Sequence, residues 1–339
     1  MDETKDSHQK TIVVHSSTFH ADDSLAVYFL HNTSEFEGAQ VIRTRDQSII
    51  DKADVVCDVG GVYNHELRRY DHHQLNFDVT FPDSLIPCAS CGLVYIHFGR
   101  EIITNILKRS GRDPGPYLEL LYETMYKSFV KEVDGFDNGV SPYASSPYYR
   151  IETHISNRIQ HLNPLWNDPN PDPDGQFQKA VSLIGNEFES FLLHYFDNNI
   201  PAISITEEAY NSRFDIDNSG QIICLKKACP FEKTLKDLED KDEKEAVELK
   251  KVPPKKVFYA ISPRDNTSWN CKAVKSGRGF ELRKPFPCCG LRDQELSDAC
   301  GIPGGIFVHK SGFLAVFSTK ENALAFAKYS LNHETINNS

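Results

Sequence analysis

An α/β architecture in two domains is predicted by three features of the 339-residue sequence. Short β-branched runs alternate with helical patterns over the first third of the chain, the pattern of βαβ units and a parallel sheet. A second stretch of the same character begins near Lys255 and runs to about Ala327. The apolar fraction of 40% beside 25% charged residues is that of a chain able to bury two cores. The domains are placed at 1–200 and 201–339, the second being the smaller.

The elements follow in order. Thr11 to Val14 (TIVV) reads as a buried strand, the polar stretch His15 to Asp23 as a loop, and Ser24 to His31 as a helix. Ala39 to Arg43 and Asp54 to Val59 are the next strands, the latter ending at Gly60-Gly61. Helical periodicity covers Cys91 to Arg109, Leu118 to Val133, Thr153 to His161 and Phe177 to Phe196. Val140 to Arg150 is turn-rich, and Asp168 to Gly175 is a proline-rich loop. Glu232 to Lys251, dense in both charge signs, reads as an insertion that is either a solvated helix or mobile, with no chemistry of its own.

Composition excludes several functions. The net charge of −11 argues against a broad basic face for duplex DNA, though not against a local groove for a single strand. No apolar run approaches the roughly 20 residues that span a bilayer. The first ten residues are polar with three acids, unlike a signal peptide or a mitochondrial presequence, so nucleus or cytoplasm is the expected compartment. Nine scattered cysteines are expected to be free thiols in a reducing compartment. Cys88 and Cys91 have CxxC spacing but no matching second pair, so packing at a helix start is expected rather than zinc binding.

Four clusters carry candidate chemistry. His15, His20, Asp22 and Asp23 crowd one loop after a strand, although an Asp there also suits a helix cap. Asp58 ends a strand ahead of two glycines. Asp71-His72-His73 sets a carboxylate beside two imidazoles, as where a carboxylate orients a metal-binding histidine. Asp134 and Asp137 close a helix, either one able to complete a metal site or to belong to the turn at Asn138-Gly139. Mixed N and O donors suit Mn²⁺, Zn²⁺ or Fe²⁺ better than a thiolate site would. In a parallel sheet such ligands gather beyond the carboxyl ends of the strands.

HSSTFHADD, CDVGGVY, RYDHHQ and FVKEVDGFDNG resemble, in that order, the four motifs of the DHH phosphoesterase superfamily, which includes RecJ-type exonucleases and manganese pyrophosphatases. LNPLWN, ACP, GLRD and GIPGGIFVHKSGF extend the resemblance, from about Thr11 to Ala327, to the melanocyte-proliferating-gene protein family, a branch described as 3′→5′ RNA exonucleases of nucleus and mitochondria. The resemblance implies a DHH-type domain and a smaller α/β domain, with the active site in the cleft between them. It implies His15, His20, Asp22, Asp58 (bridging), His72 and Asp134 as ligands of Mn²⁺ or Mg²⁺, two ions in all, with Asp137 second to Asp134. It implies that His73 faces the scissile phosphate and that Asp71 orients a histidine. Gly304, Gly305, His309, Lys310 and Gly312 would form a phosphate-facing loop, with Arg43, Arg45, Arg158, Arg283 and Arg292 as further phosphate contacts. The expected activity is hydrolysis of single-stranded RNA from the 3′ end by a metal-activated hydroxide. Hydrolysis of pyrophosphate or short oligonucleotides, or RNA or partner binding without catalysis, stay open as alternatives. Ser16, Ser17, Ala21 and Asp23 depart from the family's first motif, His-Asn-Gly-Thr-Phe-His-Cys-Asp-Glu. Ser17 replaces a glycine, and only glycine takes φ > 0 freely. Cys288-Cys289 and Lys310 depart as well. No inferred ligand is lost.

Overall fold

The structure, a computed structural model, describes residues 9–277 and 279–333. Most of the amino-terminal segment read as leaderless, residues 1–8, lies outside the described residues. The chain divides into two compact units, Met1–His194 and Tyr195–Ser339.

In the first unit, β1 (Thr11–Val14), α1 (Ala21–His31), β2 (Gln40–Arg43), α2 (Gln47–Ile50), β3 (Val55–Cys57), β4 (Tyr63–Asn64) and β5 (Arg69–Tyr70) precede the helices. These are α3 (Ser90–Arg109), α4 (Leu118–Met125), α5 (Lys131–Asp137), α6 (Ile155–Gln160) and α7 (Pro173–His194). The sheet order is β2-β1-β3-β5-β4. β1 pairs in parallel with β2 and β3, β3 in parallel with β5, and β4 runs antiparallel to β5. Ile12, Val13 and Val14 are fully buried, as befits an inner parallel strand covered on both faces. On one side Val13 and Val56 pack with Ile50 of α2. Helix α1 packs against α3 and α7, and α3 against α4. Phe29 meets Phe188 edge-on at 4.9 Å, and Tyr95 stacks on Tyr122 at 5.1 Å. Between α4 and α5 the helical run passes through a π turn, Tyr126–Val130.

The topology places the chemistry. β1, β3 and β5 are neighbours and parallel, so their carboxyl ends share one edge of the sheet. His15 directly follows β1, Asp58 follows β3, and Asp71-His72-His73 follows β5.

The second unit contains α8 (Ile200–Asn211), α9 (Arg213–Ile216), β6 (Ile222–Cys224), α10 (Glu232–Glu248), β7 (Tyr259–Pro263), β8 (Trp269–Ala273), α11 (Asp293–Cys300), β9 (Gly305–Val308), β10 (Leu314–Phe317) and α12 (Lys320–Asn332). Its sheet order is β6-β7-β8-β10-β9, parallel only between β6 and β7. Residues alternate between the faces with period two. Tyr259, Ile261, Cys271 and Phe317 pack toward Phe326 of α12, whereas Ile223 and Ala260 pack with Tyr210 of α8 and Leu235 of α10.

Two differences from the sequence reading are physical. α1 begins at Ala21 rather than Ser24, because the Asp23 carboxylate accepts the backbone N–H of His20 (2.9 Å) and caps the helix from within its first turn. Most of the charged segment is the helix α10, and it is not wholly solvated: Leu235, Glu239 and Ala246 are buried, and the Glu239 carboxylate holds Arg283 through two bonds of 2.7 and 2.6 Å. No helix among the described residues is long and apolar enough to cross a membrane.

Candidate metal centre

The three strand ends bring His15, Asp58 and His72 together, and the first turn of α1 adds His20 and Asp22. His15 Nε2 lies 3.2 Å from Asp58 Oδ2 and 3.3 Å from Asp23 Oδ2. Its Nδ1 is 2.9 Å from the carbonyl of Ser16. A carbonyl only accepts, so Nδ1 donates to it, and Nε2 is the ring nitrogen turned toward the carboxylates. Asp58 sits at φ 56, a left-handed conformation that Asp tolerates better than most residues, and Gly60 and Gly61 continue the turn at φ 94 and 67. On the far side His72 Nε2 is 3.6 Å from Asp58 Oδ1 and 3.1 Å from Asp137 Oδ2, yet is aligned for a hydrogen bond with neither.

Candidate ligand atoms converge within 4.8 Å in overlapping groups. One group is His15, His20 and Asp58; another is Asp22, His72 and Asp137; a third joins Asp58 with His72 and His73. Asp58 therefore lies between two clusters, as a bridging carboxylate would. Asp23 Oδ2, Asp58 Oδ1 and His72 Nε2 are buried atoms without a hydrogen-bond partner. Unsatisfied polar atoms in a protein interior are costly, and the Asp58 and His72 atoms, 3.6 Å apart, are what a bound cation would satisfy. The donor set fits a divalent ion taking mixed N and O ligands.

The electrostatics agree. Burial opposes charge on His72, but the neighbouring carboxylates of Asp137, Asp58 and Asp22 outweigh it and raise the imidazole to about 11. Burial likewise opposes charge on His15, and Asp58 and Asp23 still raise it. Asp58 is held well below the usual carboxylate range by His15, His72 and His73, against its burial. Asp22 is driven well above that range by burial and by the charges of Asp137 and Asp58.

Asp22 also has a structural task. Helix α3 begins after Ala89, which has no capping side chain. Its first amides are met from afar: Asp22 accepts from Ser90 N (3.0 Å) and Cys91 N (2.6 Å), and Asp134 accepts from Ala89 N (3.0 Å). Both carboxylates thus sit at the positive end of α3. The other Asp134 oxygen takes the Tyr126 hydroxyl at 2.9 Å. A Cβ at position 92 would come within 2.4 Å of Asp134, so Gly92 permits this approach. Asp134 is grouped with Asp22 and Cys91 and away from His72, while Asp137, one turn along α5, faces His72. Burial and the nearby acids Asp22 and Asp134 keep the Cys91 thiol well above its ordinary value, hence protonated. Cys88 and Cys91 are both buried and free.

A cavity of about 880 Å³ opens on the cluster, lined by His15, His20, Asp58, His73, Asp137 and Arg45 among others. All its lining residues belong to the first unit. Asp71 fixes His73: its Oδ1 accepts both the backbone N–H and Nδ1 of His73 at 2.9 Å, and its Oδ2 accepts Gly61 N at 2.6 Å. The His73 Nε2 edge is left without a partner among the described residues. Asp58 foremost, then Asp71, raises His73 to about 9 against its burial, so the ring carries a proton at neutral pH. Arg45 has no ion-pair or hydrogen-bond partner among the described residues. Arg43 is occupied, stacked against Phe19 and Phe177 and bonded to Asp174 at 3.0 Å. Ser17 keeps the left-handed conformation its position requires, at φ 80 and a cost of about 1–2 kcal/mol.

The other predicted phosphate contacts differ in availability. Arg158 pairs with Glu187 on the surface at 3.0 Å, and Arg283 is committed to Glu239. The guanidinium of Arg292 lies 5.6 Å from the Phe307 ring and that of Arg264 5.7 Å from it, neither with a hydrogen-bond acceptor among the described residues. Gly304 and Gly312 have left-handed φ of 72 and 66, and Cβ atoms there would strike Ser318 and the Phe286 backbone. Gly305 is closed in by Leu296. Packing alone thus requires all three glycines. His309 Nδ1 accepts Ser311 N at 3.2 Å, and Lys310 is exposed. The sequence ranked Asp137 below Asp134, although both stand on one helix at i, i+3; the helix cap that it allowed Asp22 or Asp23 is filled by Asp23.

Residues 11–331 match the family model MYG1_exonuc, described as an uncharacterised protein family (UPF0160). The chain is 40% identical to a MYG1 protein of Dictyostelium discoideum, over 95% of this chain and 96% of the relative. It is 39% identical to the MYG1 exonuclease of Homo sapiens, over 94% of this chain and 85% of that protein. The same identity links it to the MYG1 exonuclease of Mus musculus, over 94% and 84%.

Proposed function

Because the chain belongs to the MYG1 exonuclease family, we propose that it is a divalent-metal-dependent phosphodiesterase that removes nucleotides from the 3′ end of single-stranded RNA. The observation that carries this reading is the convergence of His15, His20 and Asp58 with Asp22, His72 and Asp137, among which the buried Asp58 Oδ1 and His72 Nε2 lack hydrogen-bond partners. The nuclease activity is supported by the relatives' names, and RNA, 3′ polarity and a DHH-type mechanism by the motifs HSSTFHADD, CDVGGVY, RYDHHQ and FVKEVDGFDNG.

His15, His20 and Asp58 would hold one ion, and Asp22, His72 and Asp137 a second, with Asp58 shared; the ions, Mn²⁺ or Mg²⁺, would neutralise the phosphate and activate water for in-line attack. Asp137 takes the closing role in place of Asp134, because Asp137 Oδ2 lies 3.1 Å from His72 Nε2, whereas Asp134 is grouped with Asp22 and Cys91. The chain's own residues do the rest. His73, protonated and fixed by Asp71, presents Nε2 to the cavity and can give a proton to the departing oxygen. Arg45 can bind a non-bridging phosphate oxygen at the cavity rim. In the second unit, Arg264 and Arg292 are better placed to meet phosphates than Arg283, because their donors are not taken by a carboxylate.

The test is cleavage of single-stranded RNA labelled at either end, by chelator-treated protein with and without Mn²⁺. Activity should rise at least about a hundredfold with metal. The 5′-labelled strand should shorten stepwise, while the 3′-labelled strand should release its label at once. Cleavage of pyrophosphate or dinucleotides alone would replace RNA by a small substrate. A protein that cuts none of these and binds no metal would not be an enzyme of this kind.

A further inference from the structure

We propose that the segment between α5 and α6 is a stacking platform that receives the unpaired bases of a single-stranded nucleic acid as it enters the metal cavity. The inference rests on the nuclease reading above and adds to it a binding site outside the metal cluster. Residues 138–154 contain no helix or strand. Unstructured connections of more than about 12–15 residues are uncommon in compact domains and usually serve binding or closure. Both ends of this one are walls of the cavity: Phe136 and Asp137 line it before the segment, Ser156 and Gln160 after it. The ends are also tied together, since the Phe136 and His154 rings lie 4.7 Å apart.

What the segment displays is unusual for a surface. Ser141-Pro142-Tyr143 is repeated as Ser146-Pro147-Tyr148, followed by Tyr149 and Arg150. Tyr148 is fully exposed, Tyr149 is 75% exposed and Tyr143 41%. Each proline fixes φ just ahead of a tyrosine, and Ser141 Oγ accepts Tyr143 N at 3.2 Å, so the rings are presented on a restrained backbone. No acid occurs from Asn138 to Ile151, in a chain with 48 acids among its 339 residues. Arg150 is exposed and has no ion-pair or hydrogen-bond partner among the described residues. Aromatic faces beside an unpaired guanidinium, with hydroxyls and no carboxylate, complement stacked bases joined by phosphates. The charge pattern and the absence of aliphatic anchors other than Val140 and Ile151 disfavour a protein partner.

The experiment compares the intact protein with Tyr148→Ser/Tyr149→Ser, Tyr148→Phe/Tyr149→Phe and Arg150→Gln, all loaded with Mn²⁺. Substrates are an oligoribonucleotide of about 16 nucleotides, longer than most single-strand sites, and bis(4-nitrophenyl) phosphate. The serine pair should raise KM for the oligoribonucleotide by about tenfold, with kcat and hydrolysis of the small diester unchanged. The phenylalanine pair should behave like the parent, because stacking needs the ring and not the hydroxyl. Arg150→Gln should flatten the salt dependence of KM. An unchanged KM in the serine pair, with the parent still degrading the oligoribonucleotide, overturns the platform and leaves the nuclease reading intact. A parent that hydrolyses the small diester but no oligoribonucleotide overturns both. Equal loss on both substrates in the serine pair would mark a structural role and also overturn it.

Discussion

Two places in this molecule bury carboxylates against cations, and they differ in whether the charges are satisfied. In the second unit, Glu239 spends both oxygens on the Arg283 guanidinium, and one of them also accepts Val257 N at 2.8 Å, while Arg283 donates to Val257 O. In the first unit, Asp58 draws three histidines around it, and Asp23 Oδ2, Asp58 Oδ1 and His72 Nε2 still lack aligned partners. A closed pair of this kind fastens α10 to the segment after β8. The open cluster, facing a cavity, has donors to spare for a ligand. Residue type does not separate the two; completeness of hydrogen bonding does.

The largest expected effect breaks the comparison at the open end. Asp58→Ala and His72→Ala should each lower metal-dependent hydrolysis more than about a hundredfold, with circular dichroism unchanged. Metal content, measured by atomic emission on the same samples, should fall with activity. Retention of full activity in either variant would show that the cluster is not the catalytic centre.

The closed pair should respond in the opposite way. Glu239→Ala leaves a buried guanidinium unpaired and should cost about 3–5 kcal/mol in urea denaturation, with activity per folded molecule unchanged. Glu239→Leu with Arg283→Met, which removes both charges, should recover most of that loss. A selective rise in KM for RNA in Arg283→Met, with stability preserved, would instead return Arg283 to the substrate contacts that the sequence suggested.

Much of this contrast was legible in the sequence, and the limits have a physical origin. The strand-loop-helix start and the strand ending at Asp58 placed His15 and Asp58 at one sheet edge, because parallel strands align their carboxyl ends. β4 and β5 are two residues each, too short for a periodicity, so the register that delivers Asp71, His72 and His73 was invisible. Asp134 and Asp137 stand three apart on one helix, and only tertiary partners separate them. Ala89 lies 45 residues from Asp134, and Ser90 lies 68 from Asp22; capping over such distances leaves no local signal. Arg283 looked like any surface arginine, because its partner sits in a segment whose charge density suggested solvent.

Linkage to pH offers a smaller effect with a defined sign. Burial raises Asp134 to about 7, against hydrogen bonds from Tyr126, Ala89 and Cys91, and burial raises Asp23 to about 7 against His15. A carboxylate raised above its unfolded value holds a proton in the native state that the unfolded chain has lost. Stability of metal-free protein should therefore fall as pH rises from about 4 to 7. His72, raised to about 11, contributes stability that is full below about 6.5 and declines as pH rises through its folded value. Both act in the same direction between pH 5 and 8. Calorimetry of chelator-treated protein should show a falling Tm over that range, and Mn²⁺ should restore it at pH 8. A flat profile in metal-free protein would mean that these charges are compensated otherwise.

The smallest effect tests whether Asp71 belongs to the open cluster or to the frame around it. Its carboxylate touches His73 and Gly61 N but is not among the converging ligand groups. It is a positioning residue, then, and its loss should act through His73. Asp71→Asn should lower kcat by about tenfold, the lower end of what a supporting carboxylate contributes, with metal content unchanged. Because Asp58 is the foremost cause of the raised His73 value, the alkaline limb of the kcat profile should move down in Asp71→Asn only part of the way toward an ordinary histidine. His73→Gln should abolish that limb altogether. Loss of metal from Asp71→Asn would place Asp71 among the groups that build the metal site, and the division between cluster and frame would then have to be drawn one residue further out.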